Sequence, residues 1–100
     1  MLPFSTSTIE KVLTLSDDIA HPITEQDIPF YTCNFHCYTY AVKYGPAGTQ
    51  NAIIFPNDIC WLRNGNLRDF RFKNNTAGQN GVIVAEMTVP NEFVIKHLKV

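Results

Sequence analysis

Long apolar segments are missing from this sequence of 100 residues. Its apolar runs, such as residues 52–55, are far shorter than the roughly 20 residues that a membrane-spanning helix needs. Residues 1–6 also lack the basic and apolar stretches of a secretory signal, so we expect no membrane insertion and no export by a signal peptide. The chain begins with Met1, from which we expect a complete natural product.

An excess of charge of either sign is missing as well. Eight Lys and Arg residues face nine Asp and Glu residues, for a formal net charge of -1. A protein that binds nucleic acid through its electrostatic field normally carries clustered cations, so the composition argues against a nucleic-acid partner. The weak net charge also leaves little repulsion between copies, which permits self-association.

Cysteines that could form a disulfide framework are scarce. Cys33, Cys37 and Cys60 are an odd number in a chain without an export signal, so we expect reduced thiols. An apolar fraction of 45% with 17% charged residues is typical of a folded globular chain. We therefore predict a single domain over residues 1–100, with residues 1–7 as a candidate flexible N-terminal arm.

Ala and Leu at helical spacing are also missing, and β-forming residues dominate instead. Strand-like segments recur about every 8–12 residues between turn signals. They cover residues 8–15 (where a short helix stays open), 30–44, 51–55, 58–63, 67–73, 82–89 and 93–100. This pattern predicts an all-β chain of about seven strands, arranged as a single antiparallel β-sandwich or small barrel that is jelly-roll-like.

Turn residues separate the predicted strands. Residues 45–48, Gly-Pro-Ala-Gly, predict a turn, and Asn64-Gly65 predicts a type I′ hairpin between two strands. The alternation in residues 30–44 blurs after Tyr38, where we expect a bulge or a change of environment. Residues 19–29 carry two prolines and predict an irregular crossing segment, with one turn of helix at residues 24–27.

One cluster resembles a metal site, because Cys33, His36 and Cys37 lie close together in the sequence. In an extended strand the two cysteines point to one face and His36 to the other, with the cysteines roughly 13 Å apart. We therefore expect buried thiols and a surface histidine, without a bound metal or a Cys33–Cys37 disulfide. Nothing places His21 or His97 beside a thiol, so we predict neither catalytic residues nor a cofactor.

Glu86 is an unusual residue because it interrupts the apolar strand 82–89. We expect this half-buried carboxylate to face a subunit interface or to pair with one of three basic residues: Arg68, Arg71 or His97. Residues 74–76, Asn-Asn-Thr, match a glycosylation sequon, but without an export signal we expect a plain turn there.

Aromatic residues are more numerous than a small core needs, and Tyr, Trp and Arg are enriched at the centres of protein interfaces. We select six candidate binding or interface residues: Tyr38, Tyr40, Tyr44, Trp61, Arg68 and Arg71. The cations and aromatics interleaved in residues 61–73 could also bind single-stranded nucleic acid. On alternating strands, however, the aromatics turn inward and the cations outward, which favours an ordinary solvated face.

Residues 53–89 carry a resemblance to a known class of proteins. A proline turn at residues 55–58 is followed by a strand with an aromatic, and then by Leu67-Arg68-Asp69-Phe70. A glycine-containing loop at residues 77–81 and the apolar strand 82–85 complete the order. This order resembles small β-sandwich structural proteins of tailed and icosahedral bacteriophages. The resemblance implies a capsid, decoration, spike or tail component that works by self-assembly.

Three hypotheses remain. The favoured one is a non-enzymatic virion structural protein, a homo-oligomer that assembles in the host cytoplasm with itself and other virion proteins. It needs no cofactor, nucleic acid or membrane. The second is a small-ligand or carbohydrate-binding β module, with the tyrosines and Trp61 lining a groove. The third is a small cupin-like metalloenzyme, which needs at least two histidines converging with a carboxylate.

Overall fold

A computed structural model describes residues 6–46 and 48–93 of the chain. Seven strands lie in these residues: β1 (Thr6–Thr14), β2 (Pro29–Tyr38), β3 (Val42–Pro46), β4 (Ala52–Ile54), β5 (Ile59–Asn66), β6 (Phe70–Asn74) and β7 (Val82–Pro90). A 3₁₀ turn (Leu67–Asp69) joins β5 to β6, and one helical turn, α1 (Asn91–Phe93), follows β7. Among the described residues, no helix has the length and apolar character needed to cross a membrane.

The strands form two antiparallel sheets. The four-stranded sheet has the order β1-β7-β2-β5, and the three-stranded sheet has the order β4-β3-β6. At the free edge of β6, His21 and Phe72 form an isolated antiparallel bridge with two backbone N–H···O bonds of 2.8 Å. The predictions of an all-β chain, antiparallel pairing and about seven strands are confirmed.

The core draws on residues from both sheets. Alternate residues of β2 and β7 are buried in one apolar cluster: Cys33, Phe35, Cys37, Ile83, Ala85, Met87 and Val89. Phe35, which is fully buried, meets three rings of the three-stranded sheet edge-on, with centroid distances of 4.9 Å to Phe72, 5.6 Å to Phe70 and 5.7 Å to Tyr44. Such edge-to-face pairs stabilise a core beyond the area that they bury.

The predicted Asn64-Gly65 hairpin is wrong. Asn64 has the positive φ of 52° that such a turn needs, but β5 continues through it and pairs Gly65 with Phe30 of β2. A Cβ atom on Gly65 would lie 2.8 Å from the Phe30 ring, so glycine serves ring packing here instead of chain reversal. The chain leaves the four-stranded sheet two residues later, through the 3₁₀ turn.

Other sequence predictions differ in their bounds. The break expected after Tyr38 is present and divides residues 30–44 into β2 and β3, so one predicted segment supplies two strands. Residues 24–27 form no helical turn, and only residues 25 and 26 lie in a bend. β3 continues through Pro46, two residues before the turn at Gly48. The last predicted strand begins wrongly, since Phe93 belongs to α1, and residues 94–100 lie outside the described residues.

Candidate functional site

The candidate site is the side of the four-stranded sheet that faces away from the core, called here the outer face. Three rows of side chains cross it from β1 through β7 and β2 to β5. The rows are Thr8, Thr88, Thr32 and Arg63; Glu10, Glu86, Asn34 and Trp61; and Val12, Val84, His36 and Ile59. Tyr38 belongs to a further row, with Val82 of β7 and Thr14 of β1.

Large apolar side chains of this face are exposed. Trp61 is 67% exposed, Val12 55%, Ile59 48% and Tyr38 46%. The inward residues are buried in β2 and β7 and partly buried in β1 and β5, so the alternation of each strand sends one set towards the core and the other to the surface. Exposed apolar side chains gathered on one sheet face are typical of a contact surface.

Polar groups occupy the middle of the outer face. Glu86 lies 3.4 Å from His36 Nε2, and Glu10 is its direct cross-strand neighbour on β1. Two carboxylates directly opposite one another repel, so His36 supplies the one favourable polar contact to the Glu86 carboxylate among the described residues. The side-chain oxygen of Asn34, beside Glu86, is buried without a hydrogen-bond partner in the described part of the chain.

The sequence prediction for Glu86 therefore needs correction. Glu86 shares its side of β7 with Val82 and Val84, and the basic side chain beside it is His36. Arg68 instead lies 3.9 Å from Asp27, and Arg71 lies 4.0 Å from Glu25. His97, the third expected partner, lies outside the described residues. Sequence reasoning missed His36 because β2 and β7 are far apart in the chain, and only the pairing of these strands brings the two side chains together.

The six predicted binding residues do not form one cluster. Tyr38 and Trp61 lie on the outer face, and Tyr40 is exposed in the connection between β2 and β3. Tyr44 packs against Phe35 in the core, and its hydroxyl lies 2.8 Å from Cys60 Sγ. The two remaining candidates, Arg68 and Arg71, lie on the 3₁₀ turn and on β6. Cys60, which contacts Tyr44, and Trp61 are consecutive residues of β5 and point to opposite sides of the sheet. Tyr44 and Trp61 therefore cannot line the same groove.

The cysteines follow the predicted strand alternation. Cys33 and Cys37 are buried on the core side of β2, and His36 lies on the outer face. Burial raises the pKa of Cys33 to about 12 and that of Cys37 to about 11. Thiols that resist ionisation are poor nucleophiles and poor metal ligands. Burial, together with the Cys60 contact, likewise raises the pKa of Tyr44 to about 12.

Histidines do not converge in the described part of the chain. His21 lies beside β6 and contacts the Asp17 carboxylate at 2.8 Å, whereas His36 stands on the outer face of the other sheet. The described residues contain no group of three or more His, Cys, Asp or Glu side chains that could hold a metal ion. The arrangement that a cupin-like metal centre requires is therefore not formed by these residues.

A polar network at one end of the molecule surrounds Asn74, the first residue of the sequon. Its side chain is 3% exposed. Its amide nitrogen lies 3.0 Å from the Asp17 carbonyl oxygen, 3.1 Å from Asp18 Oδ1 and 2.8 Å from Asn80 Oδ1, and its oxygen accepts from the Gly81 N–H at 3.1 Å. The nitrogen that a glycan would modify thus joins the loop after β1 to the loop before β7, and the segment is structural.

Comparison with protein-family models, with characterised proteins and with solved structures finds no match for this chain. The interpretation of the site therefore rests on its own geometry. That geometry consists of an exposed sheet face with aromatic and aliphatic side chains around a polar centre.

Proposed function

We propose that this chain is a non-enzymatic structural protein that acts by self-association, as a capsid, decoration, spike or tail component of a virus particle. The outer face of the four-stranded sheet is the observation that carries the proposal. It exposes Val12, Tyr38, Ile59 and Trp61 around a polar centre. A few large side chains, most often Trp, Tyr and Arg, supply most of the binding energy at the centres of protein interfaces.

We also propose that the two sheets close as a β-sandwich. The contacts of Phe35 in β2 with Phe70 and Phe72 in β6 support this closure, since they join the two sheets through buried rings. A sandwich leaves the opposite side of each sheet free. The outer face would then be available to a partner without disturbing the core.

The strand order supports a jelly roll within that sandwich. In an eight-stranded jelly roll the first strand pairs with the last, the last with the third, and the third with the sixth. The sheet β1-β7-β2-β5 has this order if β2 corresponds to the third strand of the jelly roll. The second strand of the jelly roll is then represented only by His21, which forms a single bridge with Phe72 of β6. The order β4-β3-β6 is then that of the second sheet, and jelly rolls are frequent in viral capsid proteins.

Light scattering during size-exclusion chromatography, over a wide range of protein concentrations, tests self-association. We expect the mass to rise above the monomer value of 11.3 kDa, and Trp61→Ser to shift the association to at least tenfold higher concentration. Ile19→Ser is the matched control, because Ile19 is 66% exposed but lies outside the sheet. A wild-type chain that stays monomeric at millimolar concentration would contradict the proposal.

The virion assignment rests on the resemblance of residues 53–89 to phage β-sandwich proteins and on the proposed jelly roll. It has a separate test, which is the identity of the genes beside this one. Capsid or terminase genes on either side would support the assignment. A surrounding operon of cellular metabolic genes would contradict it and leave self-association as a distinct question.

A carbohydrate-binding module is the second candidate. The row that contains Glu86, Asn34 and Trp61 favours it, because a flat aromatic ring beside amide and carboxylate groups can stack on a sugar and bond its hydroxyls. Titration with a panel of oligosaccharides, followed by Trp61 fluorescence, tests this role. Saturable binding by a monomeric protein would favour this candidate over self-association.

A further inference from the structure

Resting on the proposed self-association, we infer that the outer face binds the outer face of a second copy around a two-fold axis that runs parallel to the strands between β7 and β2. This arrangement places Glu10 of each copy beside Arg63 of the other. The partner is thus a second copy of this chain, held face to face.

Charges are distributed unevenly across the outer face. Glu10 lies on β1 at one edge of the sheet, Glu86 lies next to it on β7, and Arg63 lies on β5 at the opposite edge. Glu10 and Arg63 are exposed, and neither forms an ion pair with another described residue. An interface with two-fold symmetry uses the same surface twice, so this surface has to complement itself.

The orientation of the two-fold axis decides which charges meet. An axis across the strands through the central row would place each strand over its own copy, so that Glu10 and Glu86 would each face themselves. Like charges held together at an interface are strongly unfavourable. An axis along the strands instead places β1 over β5 of the second copy and β7 over β2.

The favourable axis brings several complementary groups together. Glu86 faces Asn34 of the second copy, whose amide group can donate a hydrogen bond to a carboxylate. Val12 faces Ile59, which covers two exposed aliphatic side chains. Glu10 faces Trp61 of the second copy. Arg63 of that copy lies two residues from Trp61 along β5, a distance of about 6.6 Å. The long side chains of Glu10 and Arg63 can bridge that offset.

The size of the face indicates a weak association. Four strands spaced about 4.8 Å apart, each with about nine residues at about 3.3 Å, present roughly 550 Å² per copy. Both copies together would bury about 1,100 Å², at the lower end of specific interfaces. The dimer should therefore depend on concentration, and its two symmetric charge pairs should weaken as salt is added.

A charge-exchange experiment followed by sedimentation velocity tests the geometry. Glu10→Arg gives cations at both edges of the face, and Arg63→Glu gives anions at both edges. Each variant alone should lose at least tenfold in dimer affinity through like-charge contact. An equimolar mixture should form a heterodimer with near wild-type affinity, because both symmetric pairs become cation–anion pairs again.

Asp69→Arg is the control, since it makes the same charge change on the 3₁₀ turn, away from the outer face. Its dimer affinity should equal that of the wild type, and thermal unfolding should show all variants folded. Single variants that dimerise like the wild type, or a mixture that fails to restore affinity, would overturn the inferred axis while self-association stands. A strictly monomeric wild type would overturn both the axis and the proposed function.

Discussion

At the residue scale, burial in the core makes three side chains hard to ionise: Cys33, Cys37 and Tyr44. Burial raises the pKa of the Cys33 thiol from 9.0 to about 12, and that of the Tyr44 hydroxyl from 10.0 to about 12. In the unfolded chain the same groups ionise at their ordinary values. At a pH between the pKa of a group in the unfolded chain and its pKa in the folded chain, the unfolded chain releases a proton that the folded chain keeps. This release favours unfolding.

The folded state should therefore lose stability as the pH rises above 9. Each thiol that stays protonated only in the folded chain lowers the free energy of unfolding by about 1.4 kcal/mol per pH unit. Urea unfolding at pH 8, 9, 10 and 11 measures this slope. In Cys33→Ala the free energy of unfolding should fall less steeply between pH 9 and 11, by the contribution of about one proton. The variant should nevertheless be less stable than the wild type at pH 8. An identical slope in Cys33→Ala and wild type would contradict the burial of this thiol.

Asn74 provides a second prediction at the residue scale. Asn74→Ala removes the acceptor for the buried Gly81 N–H and the donor to Asp18, so we expect a loss of about 1–3 kcal/mol in the free energy of unfolding. Asn51→Ala, at an exposed position, is the control and should change stability by less than about 0.5 kcal/mol. Equal effects of the two substitutions in chemical denaturation would exclude the network around Asn74 as a structural anchor.

At the scale of elements, the strands that alternate most regularly were predicted best. The period of two in β2 correctly placed Cys33 and Cys37 inward and His36 outward. The prediction failed at Asn64-Gly65, where local turn preference competed with pairing to β2. A glycine that accommodates a ring from a distant strand has the same local sequence as a glycine that reverses the chain. The distinction depends on tertiary contact, which the sequence does not display.

The pairing of Gly65 with Phe30 has a measurable consequence. Gly65→Ala brings a Cβ atom to 2.8 Å from the buried Phe30 ring, so the ring has to move and the fold should lose about 1–3 kcal/mol. Gly48→Ala is the matched control, because no atom lies within 4 Å of its added Cβ. Thermal unfolding of both variants tests the contact. An undisturbed Gly65→Ala would mean that β5 can reverse or shift at this position.

Strand order and cross-strand partners belong to the whole molecule, and the sequence could not supply them. Nothing local shows that β7 lies between β1 and β2, or that Glu86 therefore stands between Glu10 and Asn34. The outer face exists only because four strands from distant parts of the chain lie side by side. The sequence identified Trp61 and Tyr38 as candidates through their residue type, but Tyr44 has the same type and lies in the core.

Trp61 is the only tryptophan in the chain, and it lies on the face that we propose to be covered on association. Its fluorescence therefore reports directly on the central claim. Acrylamide quenching of Trp61, measured across the concentration range in which the mass increases, should fall, and the emission should shift to shorter wavelength. Quenching and emission that stay constant while the chain associates would contradict the claim that the outer face is the contact surface.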